Sequence, residues 1–224
     1  LRPLVLALAR HCGQASCSAA ADGQWALMHE QLADAIATYE QLAGVQPEAS
    51  QAVRQELGNL IGKLMADLHA CVHGQEPLQP EQRGALCWRG FELSGQYRQL
   101  GLDQPEWLWH LEEQLVREGA IALRQLAQAE TDDGRTDEQR ARWRRQALEL
   151  LLHLGRLHQP APEWILLAAQ ELVGAEAETV LQGAAQPEPQ QLRSLLGWIA
   201  RLPLPAERAA AVQLAAQRGI WSLQ

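Results

Sequence analysis

Three short signals divide this 224-residue chain at nearly equal intervals. Gln46-Pro47-Glu48, Gln104-Pro105-Glu106 and Ala161-Pro162-Glu163 lie 58 and 57 residues apart. Each follows a similar stretch: Tyr39-Glu40-Gln41-Leu42, Tyr97-Arg98-Gln99-Leu100 and Leu154-Gly155-Arg156-Leu157. A long fixed period means that one supersecondary unit has been copied and stacked, because a single copy cannot bury its own apolar face.

Aligning 22–46, 80–104 and 137–161 brings Gln24, Gln82 and Gln139 together and reveals one apolar stripe. It reads Met28, Leu32, Ala35, Tyr39, Leu42 in the first copy and Leu86, Gly90, Leu93, Tyr97, Leu100 in the second. In the third it reads Trp143, Ala147, Leu150, Leu154, Leu157. Steps of 4, 3, 4 and 3 trace one face of an α-helix and do not fit a strand. A second helix starts at each Pro-Glu signal, where proline costs no hydrogen bond and a carboxylate favours the helix dipole. These second helices share Leu57, Leu115 and Leu172 at one register. The spacing predicts hairpins over 22–46/47–73, 80–104/105–129 and 137–161/162–182, within about nine helices and no strand. Leu42, Leu100 and Leu157 are expected to be almost fully buried.

The expected fold is all-α, an αα-hairpin repeat superhelix with the architecture of tetratricopeptide and HEAT arrays; a compact helical bundle is the alternative. The period matches neither array, since those repeat at ~34 and ~40–47 residues. A single domain over 1–224 is expected, with an opening helix and linker at 1–21. Repeats follow at 22–79, 80–136 and 137–186, and capping helices at 187–224.

A net charge of −8 argues against general affinity for nucleic acid or anionic lipid. Lys63 is the single lysine against many arginines, a usage common in GC-rich bacterial genomes. Cys12, Cys17, Cys71 and Cys87 are too few and scattered for a disulfide scaffold, so reduced thiols are expected. The apolar start, Leu4 to Ala9, is short and ends at Arg10-His11, and nothing approaches the ~20 apolar residues of a membrane span. A cytoplasmic location follows as the expectation.

Candidate chemistry is sparse. Asp132-Asp133-Gly134-Arg135-Thr136-Asp137-Glu138 holds paired carboxylates of the kind that bind Mg²⁺ or Ca²⁺ in a metal-dependent enzyme. It falls between helices, however, and Asp137 and Glu138 also suit a helix N-terminus. His69 and His73 stand at i and i+4, a spacing that can chelate a metal, yet no second ligand pair matches them. No nucleophile–base pattern, phosphate loop or Cys-x-x-Cys pair is present. No enzyme activity, cofactor or metal is expected. Arg140-Ala141-Arg142-Trp143-Arg144-Arg145 is a local basic cluster and supports the alternative of a regulatory or nucleic-acid-binding repeat. Trp143 lies in the core stripe, which opposes that reading.

Eight tryptophans against one phenylalanine is an unusual ratio. Trp107 and Trp164 share one register just after Pro-Glu, as residues wedged between hairpins would. Trp88 aligns instead with Glu30 and Arg145, and Trp109 with Gln51 and Leu166. The aligned positions are polar in three of these four cases, and an aromatic ring there suits an interface anchor, since Trp and Arg dominate binding hot spots. The expected function is a non-catalytic module binding a protein or peptide partner (an adaptor, chaperone or assembly subunit). Trp88 and Trp109 are its anchors, with Arg89 and His110 as polar contacts at the rim.

Overall fold

A computed structural model of the chain describes residues 22–43, 47–74, 77–129 and 136–182, together with Arg193, Gly197 and Trp198. The opening helix and linker expected at 1–21 lie outside the described residues, as do the closing helices apart from those last three positions. Six helices account for the regular structure and no strand occurs among the described residues. They are α1 (Asp22–Ala43), α2 (Pro47–Val72), α3 (Pro80–Gln99), α4 (Glu106–Gln128), α5 (Asp137–Leu157) and α6 (Glu163–Gln182). Each starts at the expected residue or one after it. The chain divides into two compact units, Leu1–Ala122 and Leu123–Gln224.

Aligned glutamines mark how two of these helices begin. Gln82 takes a hydrogen bond from the Gln79 backbone N–H at 3.3 Å, and Gln139 takes one from the Thr136 N–H at 3.0 Å. Thr136 answers by accepting from the Gln139 N–H at 3.2 Å, which completes a capping box. The second helices also start alike. The Pro105 carbonyl accepts from Leu108 and Trp109, and the Pro162 carbonyl from Ile165 and Leu166.

In the first unit the stripe expected from sequence is the core. Leu32, Ala35, Leu93, Tyr97 and Leu100 are buried, and they meet Leu57, Ile61, Leu64, Met65 and Leu68 of α2 and Leu115 of α4. Helices α3 and α4 run antiparallel, since Arg83 pairs with Glu118 and Arg98 with Glu112. Glu112 is fully buried, and Gln104 of the connecting loop donates to its second oxygen at 2.8 Å. A buried carboxylate is tolerable only with such partners, so Glu112 fastens the loop of this hairpin to α3.

Helices α2 and α4 run parallel. Leu102, just before α4, lies against Gly58, Trp107 against Gly62, and Gln114 beside His69, so the contacts advance in the same direction along both segments. Arg54 of α2 donates to the carbonyls of Leu100 and Gly101, closing the C-terminus of α3. There Gly101 has φ +62°, the left-handed geometry that ends a helix without a Cβ penalty.

In the second unit α5 and α6 form a hairpin around Ala147, Leu150, Leu151, Leu154, Ile165, Ala169, Leu172 and Val173, all buried. Arg144 ties its two helices together by donating to Glu176 at 3.1 Å and to Thr179 at 3.1 Å. Glu171 of α6 accepts from Arg124 and Gln128 in the last turns of α4. Glu171 aligns with Gln114, which makes the corresponding bridge to α2 in the first unit.

One core expectation needs correction. Leu100 is 2% exposed, but Leu157 is only half-buried, and the Leu42 side chain lies outside the described residues. The aligned position after the leucine explains the difference. Gly101 turns the chain back over Leu100, whereas His158 leaves α5 in an extended conformation with φ −110° and ψ 105°.

Candidate interaction surface

Trp88 belongs to the outward stripe of α3, which runs Glu81, Ala85, Trp88, Glu92, Gly95, Gln99 at helical steps and is half-buried or exposed throughout. Its indole N–H donates to Glu92 at 2.9 Å, and its ring stands 5.3 Å from that of Phe91. The ring is thus oriented at the surface by a neighbour one turn away. Arg89, next along the helix, is 6% exposed. That removes it from the rim position expected of it, because adjacent residues on a helix point about 100° apart.

Trp109 is half-buried. It shares a stripe of α4 with Glu113, Val116 and Ala120, all of them buried, and meets His110 edge-on at 5.0 Å. His110 is 55% exposed and sits 3.7 Å from Glu106. Trp88 and Trp109 do not share a patch. Glu112 is paired with Arg98, ten residues beyond Trp88 on α3, and ten residues of helix span roughly 15 Å.

Among the described residues the most exposed tryptophan is Trp107, whose register suits a place between hairpins. Trp107 keeps 53% of its surface open while its ring lies over Gly62 of α2. Gly62 permits this approach, since a Cβ there would stand 2.7 Å from the ring. Trp164 at the matching register is 43% exposed, with Leu166 and Leu167 also open beside it on α6. Their shared position after Pro-Glu was visible in the sequence. Contact with the neighbouring hairpin agrees with the wedge position expected for Trp107, and much of both residues stays exposed as well.

Several of the remaining candidates make structural contacts. Asp137 and Glu138 occupy the first turn of α5, and the acidic residues just before Thr136 lie outside the described residues. Arg140 is buried and pairs with Asp137 at 3.4 Å, while Arg144 is held by Glu176. The basic cluster is therefore divided, with Arg142 its exposed member. Trp143, expected in the core, is half-buried.

Cys87 is buried and free, and burial pushes its thiol up to about 12, with Glu118 adding to the shift and Arg83 opposing it. A thiol so placed is not a nucleophile at neutral pH. Cys71, by contrast, is disulfide-bonded, which departs from the reduced state expected from sequence. His69 and His73 have ring centroids 4.3 Å apart. No group of three His, Cys, Asp or Glu side chains converges among the described residues. No helix among them is long and apolar enough to cross a membrane. No known protein family, curated protein or solved structure matches this chain.

Proposed function

We propose that this chain is a protein-interaction module built from stacked αα hairpins, with its aromatic side chains as anchors for a protein or peptide partner. The exposure of Trp107 carries the reading. A tryptophan held rigidly over a glycine, with more than half its surface open, offers a large apolar area at little entropic cost on binding. Trp88, oriented by Glu92 on the outward stripe of α3, is a second anchor. The stacking itself is supported by repeated local geometry: matching caps on α3 and α5, matching starts of α4 and α6, and the aligned bridges of Gln114 and Glu171. Hairpin stacks present extended surfaces without a deep polar cavity, which suits partner binding better than chemistry.

The test is site-specific photo-crosslinking in the native host, with the reactive group placed at position 107 or 88 and products identified by mass spectrometry. One partner captured from both positions, and not from exposed Gln55, supports the module. Capture of nucleic acid alone, released steeply by salt, would replace it with the polyanion-binding alternative.

A further inference from the structure

We propose that the C-terminal turn of α2 is a divalent transition-metal site formed by His69 and His73, with Gln114 of α4 as third donor. Two observations bring these groups together. The His73 N–H donates to the His69 carbonyl at 3.0 Å, so helical geometry persists through the turn and sets the two imidazoles side by side on one face, centroids 4.3 Å apart and planes tilted by 45°. His69 Nε2 then lies 2.6 Å from the amide oxygen of Gln114, a residue 45 positions away that the sequence pattern does not link to the pair.

Without metal, the imidazole donates its Nε2 proton to that oxygen. On binding, the neutral ring shifts its proton to Nδ1, Nε2 turns its lone pair to the ion, and the amide oxygen becomes a ligand. No net proton is gained or lost. Tetrahedral zinc bonds of about 2.0–2.1 Å require donor atoms roughly 3.3 Å apart. The pair must therefore open by about 0.7 Å, a modest side-chain adjustment at a surface position. Imidazole donors select Zn²⁺, Cu²⁺ or Ni²⁺ over Mg²⁺ and Ca²⁺, which take oxygen ligands. Water completes the coordination, because His73 is exposed. Neither nearby thiol competes: Cys71 is in a disulfide, and Cys87 is buried. Bridging α2 to α4, the ion would bind only the folded chain and so stabilise it.

The experiment is calorimetric titration of the full chain with Zn²⁺ alone, paired with thermal unfolding in Zn²⁺ and in excess Mg²⁺. One Zn²⁺ per chain and a raised unfolding midpoint in Zn²⁺ but not Mg²⁺ are expected. His73→Gln, a change at an exposed position, should weaken binding roughly tenfold or more. Gln114→Leu should weaken it by a smaller factor, and His110→Gln should leave it unchanged. Absence of binding at submillimolar Zn²⁺, or binding that survives His73→Gln, overturns the site.

Discussion

Replacing Gly90 by alanine should change sign with its surroundings. An ideal Cβ at position 90 stands 2.7 Å from Leu115 Cδ1 and 3.5 Å from Leu115 Cβ and Cγ. Carbon atoms prefer about 3.5–4.0 Å, so the new methyl intrudes by roughly 1 Å. Leu115 is fully buried and has no solvent to swing into. Overpacking of this kind costs about 1–3 kcal/mol, whereas alanine gains about 1 kcal/mol over glycine within a helix. Gly90→Ala should therefore lose about 1 kcal/mol of stability in the native background. Leu115→Ala alone should lose about 2–5 kcal/mol as a core cavity. In that background the methyl at position 90 enters vacated space, so the same glycine substitution should gain about 1 kcal/mol. Urea unfolding followed by circular dichroism measures all four variants, with the effect read from the midpoint at unchanged slope. A gain from Gly90→Ala in both backgrounds would mean that α3 does not approach α4 here, and the antiparallel packing of the second hairpin would be wrong.

Three further outcomes are expected. Leu100→Ala should cost about 2–5 kcal/mol by chemical denaturation, and Leu157→Ala distinctly less, because Leu157 is half-buried. Cys87 contributes a stability loss at high pH. Its thiol rises from an ordinary 9.0 to about 12 on folding. The unfolded chain thus releases that proton first, and stability falls as pH climbs from about 9 toward 12; Cys87→Ala should flatten this part of the pH profile. Denatured without reductant, the chain should titrate two thiols with Ellman's reagent and four after reduction, since it carries four cysteines and Cys71 is disulfide-bonded. A count of four without reductant would restore the reduced state expected from the sequence.

Much of the fold was legible because helix periodicity and helix ends are local properties. The 4-3-4-3 stripe and the Pro-Glu signals place six helices to within one residue at their starts. Even the aligned glutamines have a physical cause: Gln82 and Gln139 are capping residues. The surface was far less legible. The seat of the Trp107 ring depends on Gly62, 45 residues earlier and in a different hairpin. Arg89 and Arg140 look like surface cations from composition, yet both are buried by neighbours that only packing reveals. Gln114 carries no signal as a metal donor until α4 sets it beside His69. Repeat alignment identified which positions were equivalent, but not which side of each helix stays open.

The affinity of the crosslinked partner for the Trp107→Ala chain tests the central claim most directly. If the exposed indole is an anchor, binding weakens by about 2 kcal/mol, roughly thirtyfold in Kd, while helical content and the unfolding midpoint of the first unit stay near those of the native chain. An unchanged Kd for this variant, with the fold intact, would contradict the reading of Trp107 as the point where a partner binds.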